Sequence, residues 1–204
     1  RVISMVEEKI NKLEEIIRAI GSKDHFIIYC SDGRLLSDDN VDMRHLQYVV
    51  NTLNNLGFFP SQFTADESMD DRISLIKSFN KGYISTLVAI RCLDEGINIP
   101  SIESALILSS NDNYREFVQR RGRILRKYQG KKTAKIFDII VLPSPECKIV
   151  AEIELRRFYE YAKLSLNKDN LIPILEEKME TYELTFDNIS FKNDYIKYGG
   201  DLDD

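Results

Sequence analysis

Gln119-Arg120-Arg121-Gly122-Arg123-Ile124-Leu125-Arg126 places four arginines and a glycine in eight residues. A guanidinium stays charged and presents its donors in a rigid fork that matches phosphate oxygens. A glycine among such groups lets a ligand come close to the backbone. The pattern suits an anion held against a short segment; the bland alternative is a solvated basic face. On a helix running through residue 126, Gln119, Arg123 and Arg126 fall at i, i+4 and i+7, on one stripe bordered by Gly122. Tyr114, Phe117, Val118, Ile124 and Leu125 fall on the other side and are expected to face a core. If Gly122 ends the helix instead, Arg126 sits on a loop. Asn113, followed three residues later by Glu116, is a capping-box pattern that would start this helix.

The charge around the octet is concentrated. Residues 115–135 carry nine Lys or Arg and one acid, Glu116, whereas the whole chain has a net charge of −5. A local basic patch in an acidic chain is how a phosphate footprint usually looks. With 204 residues and 43% hydrophobic content, the chain can build one full domain and an appendage. No window approaches the apolar length of a membrane span. Cys30, Cys92 and Cys147 are odd in number and widely spaced, which argues against a disulfide framework or a zinc site. A reducing, cytoplasmic location is the expectation. The chain opens at Arg1, inside a helical pattern, and is expected to be a piece of a longer protein.

The elements that must position the octet alternate in type. Val2, Val6, Ile10, Leu13, Ile17 and Ile20 recur at helical spacing, and Gly21 ends the pattern. With nothing before it to pack on, this helix suits a connector. Strands are expected at 25–30, 58–63, 86–90, 102–108 and 133–141, and helices at 41–56, 69–79 and from 114. Asp70 and Asp71 are favourable in the first turn of the helix at 69–79. This alternation predicts an α/β fold of three layers, a doubly wound, mainly parallel sheet covered on both faces. Ligands of such sheets bind beyond the carboxyl ends of the strands. After Pro143 and Pro145 the pattern becomes helical, at 147–166 and 171–179, with a frayed tail around Gly199 and Gly200.

The octet resembles the last motif of superfamily 2 helicases, a glutamine–arginine–glycine–arginine segment of their second RecA-like domain. Other landmarks of that family follow in order. Phe26-Ile27-Ile28-Tyr29-Cys30-Ser31 resembles its opening strand motif. Asp71-Arg72, with Phe79-Asn80-Lys81-Gly82 downstream, resembles the helix before the next strand. Leu87-Val88-Ala89-Ile90-Arg91-Cys92-Leu93-Asp94-Glu95-Gly96-Ile97-Asn98-Ile99-Pro100 resembles the strand–loop motif. The Asp-Glu-Gly and Gln-Arg-Arg-Gly-Arg forms look most like DNA helicases of restriction and repair, and less like RNA-specific DEAD-box proteins.

The resemblance implies site residues. Arg123 and Arg126 match the two arginines that face the γ-phosphate of ATP across a domain cleft, with Arg126 as the finger. Gln119 matches the residue that positions the attacking water or the phosphate. Gly96 matches a glycine where backbone approaches nucleotide or nucleic acid. Asn98 replaces a common aspartate that contacts the ribose or the arginines, so its contact carries no charge. Ile90 replaces a threonine that touches nucleic acid in RNA helicases, and Arg91 is a substitute phosphate contact. Arg72 and Arg120 are the remaining nucleic-acid candidates, with a surface salt bridge the alternative for Arg72. The implied ligands are ATP and Mg²⁺, held mainly by an N-terminal motor domain of the same protein, with DNA favoured over RNA. No metal ligands are expected in this chain. Residues 1–21 are then a connector helix, 22–143 the helicase C-terminal RecA-like domain, and 144–204 a helical extension.

Three features invite other readings. Gly130-Lys131-Lys132-Thr133 mimics a phosphate loop, but Leu125 stands where its earlier glycine belongs and Lys132 where its hydroxyl belongs. Asp94-Glu95 suggests a Mg²⁺ pair, yet the apolar run ends at Ile90, so both read as loop residues near the cleft. His25 and His45 show no serine or cysteine partner at recognisable spacing. The tyrosines at 159, 161, 182, 195 and 198 read as core and surface residues of the extension rather than a base-stacking platform. Two alternatives remain from other classes: a degenerate helicase-like module that only binds nucleic acid or protein, and a self-contained nucleotide-binding enzyme. Ile90 and Asn98 lean toward the first. The lack of a glycine-rich phosphate loop counts against the second.

Overall fold

The computed structural model describes residues 9, 11–21, 24–31, 33–36, 42–90, 99–108 and 114–190; for 34–36, 42–43 and 114–117 only the backbone is considered. The chain divides into two compact units, Arg1–Ile139 and Ile140–Asp204.

The first unit is built on a five-stranded parallel sheet. In chain order its strands are β1 (Phe26–Tyr29), β4 (Pro60–Phe63), β5 (Thr86–Ala89), β6 (Ser104–Ile107) and β7 (Lys135–Asp138). Their order across the sheet is β4-β5-β1-β6-β7. In the central strand, Phe26 is level with Thr86 on one side and Ser104 on the other. All four residues of β1, β5 and β6 are buried. That is why each reads in the sequence as a continuous apolar run rather than an alternation.

Strand geometry still sorts these residues by face. Phe26, Ile28, Cys30, Val88, Leu106 and Leu108 join one core. Helices α1 (Leu13–Ile20) and α2 (His45–Asn55) close it with Leu13, Ile17, Leu46, Val49, Val50 and Leu53. α1 therefore has a body to pack on, unlike the connector expected from its sequence. Glu14 pairs with Arg18 at 2.7 Å on its outer face, and Gly21, at φ 64°, ends it by donating to Ile17 O. On the other face Ile27, Tyr29, Leu87, Ala89, Ala105 and Ile107 are buried.

α3 (Met69–Asn80) is capped by Ser68, whose Oγ accepts from Asp71 N. An antiparallel pair, β2 (Arg34–Leu36) and β3 (Asp42–Arg44), interrupts the expected alternation between β1 and α2. Three-residue strands are too short to show a period in the sequence.

The second unit is helical: α5 (Lys148–Ala162), α6 (Lys168–Thr181) and α7 (Phe186–Ile189). Ala151, Leu155, Leu175, Met179, Tyr182, Leu184 and Ile189 form its core. Glu154 and Arg157 are buried together in a two-point ion pair with both contacts at 2.8 Å, and Glu154 also accepts from Val141 N. The Tyr182 hydroxyl donates to Pro143 O. Tyr182 is thus a core residue, while Tyr195, Tyr198 and the glycine tail lie outside the described residues.

Candidate functional site

The octet lies on α4 (Tyr114–Ile124) and just past its end. Gly122 is inside the helix. Leu125 N still donates to Arg121 O at 3.0 Å, and Arg126 N turns back to Arg123 O at 3.3 Å. Gln119 and Arg123 therefore share a helical stripe, as expected, while Arg126 continues it from the first residues beyond the helix. Asn113, the expected cap, is outside the described residues.

Two residues define the inward side of α4. Ile124 is fully buried. One turn earlier Arg120 is 5% exposed, its guanidinium carbon 5.1 Å from the centre of the Tyr29 ring. Arg120 and Ile124 are at i and i+4, so they lie on one face. A guanidinium over an aromatic ring gains cation–π attraction and buries its stem as an apolar group would. This position differs from the one a nucleic-acid contact needs: Arg120 faces the protein. Leu125, expected in the core, is 52% exposed because the chain leaves the helix there.

The outward side carries the remaining polar groups. Gln119, Gly122 and Arg126 are exposed, and Arg123 is half-buried. A Cβ on Gly122 would meet nothing within 4 Å, so the fold itself does not require a glycine there. α4 follows β6, passes Tyr29 at the carboxyl end of β1, and gives way to β7, whose Lys135 N donates to Glu103 O at the amino end of β6. The outer row thus runs along a flank of the sheet rather than only at its carboxyl edge. Two guanidinium groups, an amide and an open stretch of backbone fit a phosphate presented from outside.

The run resembling a phosphate loop has a different task. Lys131 Nζ donates to Ile124 O at 2.5 Å and to Arg126 O at 3.1 Å. A cation there satisfies carbonyls that the helix end leaves over and meets the negative end of the helix dipole. Burial pulls the Lys131 ammonium below the usual lysine range, and the charge of Glu103 opposes that shift. The sequence signal for this role was a basic residue soon after a helix end.

Elsewhere the structure pairs what the sequence separates. Ser31 Oγ and His45 Nδ1 share a short hydrogen bond, so His45 does have a serine partner. The turn that joins them needs Gly33, since a Cβ there would lie 2.5 Å from the His45 ring. His25 flanks β1 as expected, with its ring edge-on to Phe79 at 5.4 Å. Arg72 is half-buried in the first turn of α3, and its Nε meets no acceptor among the described residues. Arg91, Gly96 and Asn98, with Asp94 and Glu95, lie outside the described residues. Among the described residues no group of His, Cys, Asp or Glu is placed to hold a metal ion, and no helix is long and apolar enough to cross a membrane.

The helicase conserved C-terminal domain family matches residues 8–128, which span the sheet and the arginine helix. The chain belongs to this family. As a helicase C-terminal domain it is similar to the DNA 3'-5' translocase XPB2 of Sulfurisphaera tokodaii, with 34% identity over 71 residues, 35% of this chain and 16% of the relative. It is also similar to putative helicase 22 of Sulfolobus islandicus filamentous virus, with 24% identity over 84 residues, 41% of this chain and 15% of that protein. The chain thus corresponds to about a sixth of the length of these relatives. Among solved structures, the C-terminal domain of the DEAD-box protein Dbp5 has a TM-score of 0.56 at 16% identity, covering 84% of this chain and 91% of that one. The C-terminal part of the Fun30 ATPase domain has a TM-score of 0.52 at 19% identity, covering 86% and 54%. At these identities the likeness is one of fold: the RecA-like domain shared by superfamily 2 helicases.

Proposed function

We propose that this helicase C-terminal domain is one motor half of an ATP-dependent DNA helicase or translocase, acting in restriction or repair. A preceding motor domain of the same protein supplies the phosphate loop, its lysine and the Mg²⁺ carboxylates. Arg126 acts as the arginine finger, Arg123 stabilises the same γ-phosphate, and Gln119 orients the attacking water. Gly96 and Asn98 approach the nucleotide from the neighbouring loop. The observation that carries this reading is the two-sided arginine helix: one arginine packs it to the sheet, while Arg123 and Arg126 lie on its outward side beside open backbone at Gly122. A guanidinium offered from a flank suits a phosphate held by another body.

ATP closes the cleft between the two motor domains and hydrolysis reopens it. Contacts from Arg72 and Arg91 to the sugar–phosphate backbone turn that cycle into stepping with little sequence preference. The half-buried, unmatched Nε of Arg72 supports its part, and the burial of Arg120 removes it from this set. DNA is favoured by the apolar Ile90 and by the resemblance to XPB2, itself described as a DNA translocase. The 204-residue chain holds half of the site, so purified alone it is expected to show no ATP turnover and only weak, salt-sensitive binding to DNA. Robust ATP hydrolysis by the isolated chain would overturn this division of the site.

A further inference from the structure

The end of α4 must be held still if Arg126 is to act, and its carbonyls can be counted. The last four carbonyls of a helix have no partner within it. Here Arg121 O accepts from Leu125 N, and Arg123 O accepts from Arg126 N. Ile124 O accepts from Lys131 Nζ, which also reaches Arg126 O. The lysine is delivered by a tight turn: Lys131 N donates to Tyr128 O at 3.1 Å, and Gly130 adopts φ 84°, a left-handed conformation that favours glycine. One ammonium therefore ties the buried end of the helix, at Ile124, to the peptide carbonyl of Arg126 itself.

The placement runs against local charge. Arg123, Arg126, Lys127 and Lys132 surround this stretch of sequence, so another cation gains nothing from its neighbours in the chain. What it gains is carbonyl oxygens. Lys132, the next residue, is exposed and makes no such contact.

We propose that Lys131 is a positioning residue for Arg126, fixing the backbone from which the finger projects. This rests on the assignment of Arg126 under the proposed function. Lys131 touches neither nucleotide nor DNA; its effect passes through the two carbonyls. A finger displaced by about 1 Å loses roughly 10²-fold in rate while substrate binding is little changed.

The test is steady-state ATP hydrolysis by the full-length protein with saturating DNA, comparing Lys131→Met, Lys131→Gln, Lys132→Met and Arg126→Ala. Lys131→Met should lower kcat roughly 10- to 100-fold with KM for ATP within about twofold. Lys131→Gln, which keeps an N–H donor, should recover part of the loss. Lys132→Met removes the same charge one residue along and should match the unaltered protein. A kcat for Lys131→Met equal to that of Lys132→Met, with Arg126→Ala inactive, overturns the inference and leaves the arginine finger standing. Normal turnover by Arg126→Ala overturns the finger assignment, and the role of Lys131 with it. Should Lys131→Met fail to fold, Gly130→Ala supplies the same reading. It strains the turn without touching the lysine and should lower kcat at constant KM.

Discussion

The inward and outward sides of the arginine helix are made of the same residue type and do opposite work. Arg120 is buried against Tyr29 and holds α4 to the central strand. Arg126, six positions on, is exposed beyond the helix end with its backbone tied down by Lys131. Arginine is suited to both tasks: its stem and planar head pack like an apolar group, and its fork grips phosphate. A cluster of arginines is therefore not one site. Its members divide according to which side of the helix meets the core.

Substitutions at the two positions should separate stability from turnover. The largest effect is expected for Arg126→Ala in the full-length protein. Turnover should fall roughly 10³- to 10⁵-fold, the range removed with arginine fingers in related phosphoryl-transfer enzymes. The melting temperature should stay close to that of the unaltered protein, as checked by thermal unfolding. A second buried arginine sharpens the comparison. Arg157 in the helical unit is matched by a carboxylate rather than a ring, through its two-point pair with Glu154. Removing one partner of such a pair is more damaging than losing a ring contact, so Glu154→Ala should cost about 3–5 kcal/mol in denaturant unfolding.

Arg120→Ala should come next, at about 1–3 kcal/mol from lost cation–π attraction and packing. ATP turnover per folded molecule should be nearly retained. A loss of turnover matching that of Arg126→Ala, at unchanged stability, would break the division between the two sides. The smallest effect is at Gly122. Alanine meets no steric obstacle there and favours helix by up to about 1 kcal/mol, so stability should rise slightly. If phosphate approaches that backbone, turnover should nonetheless fall, and hydrolysis and unfolding measured on one preparation will show both.

Much of the fold was legible because burial on both faces leaves a plain mark. The apolar runs of β1, β5 and β6, and the stop at Gly21, read directly as strands and a helix end. The β2–β3 pair was not legible, since three residues carry no period. The Ser31–His45 contact was hidden because a turn through Gly33 creates it, and sequence spacing does not encode that turn. Within the octet the helical spacing did contain the answer for Arg120, since it shares a face with Ile124. The phosphate-binding character of the motif drew attention from that spacing. Lys131 was obscured in a similar way, by a likeness to a phosphate loop.

The central claim is that Arg126 acts on the transferring phosphoryl group and not on nucleotide capture. Single-turnover hydrolysis of pre-bound ATP by full-length Arg126→Ala, with ATP affinity measured on the same sample, tests it most directly. The account predicts a chemical step slowed at least about 10³-fold with ATP affinity changed by no more than a few fold. A normal chemical step, or a loss of turnover explained wholly by weaker ATP binding, would contradict it.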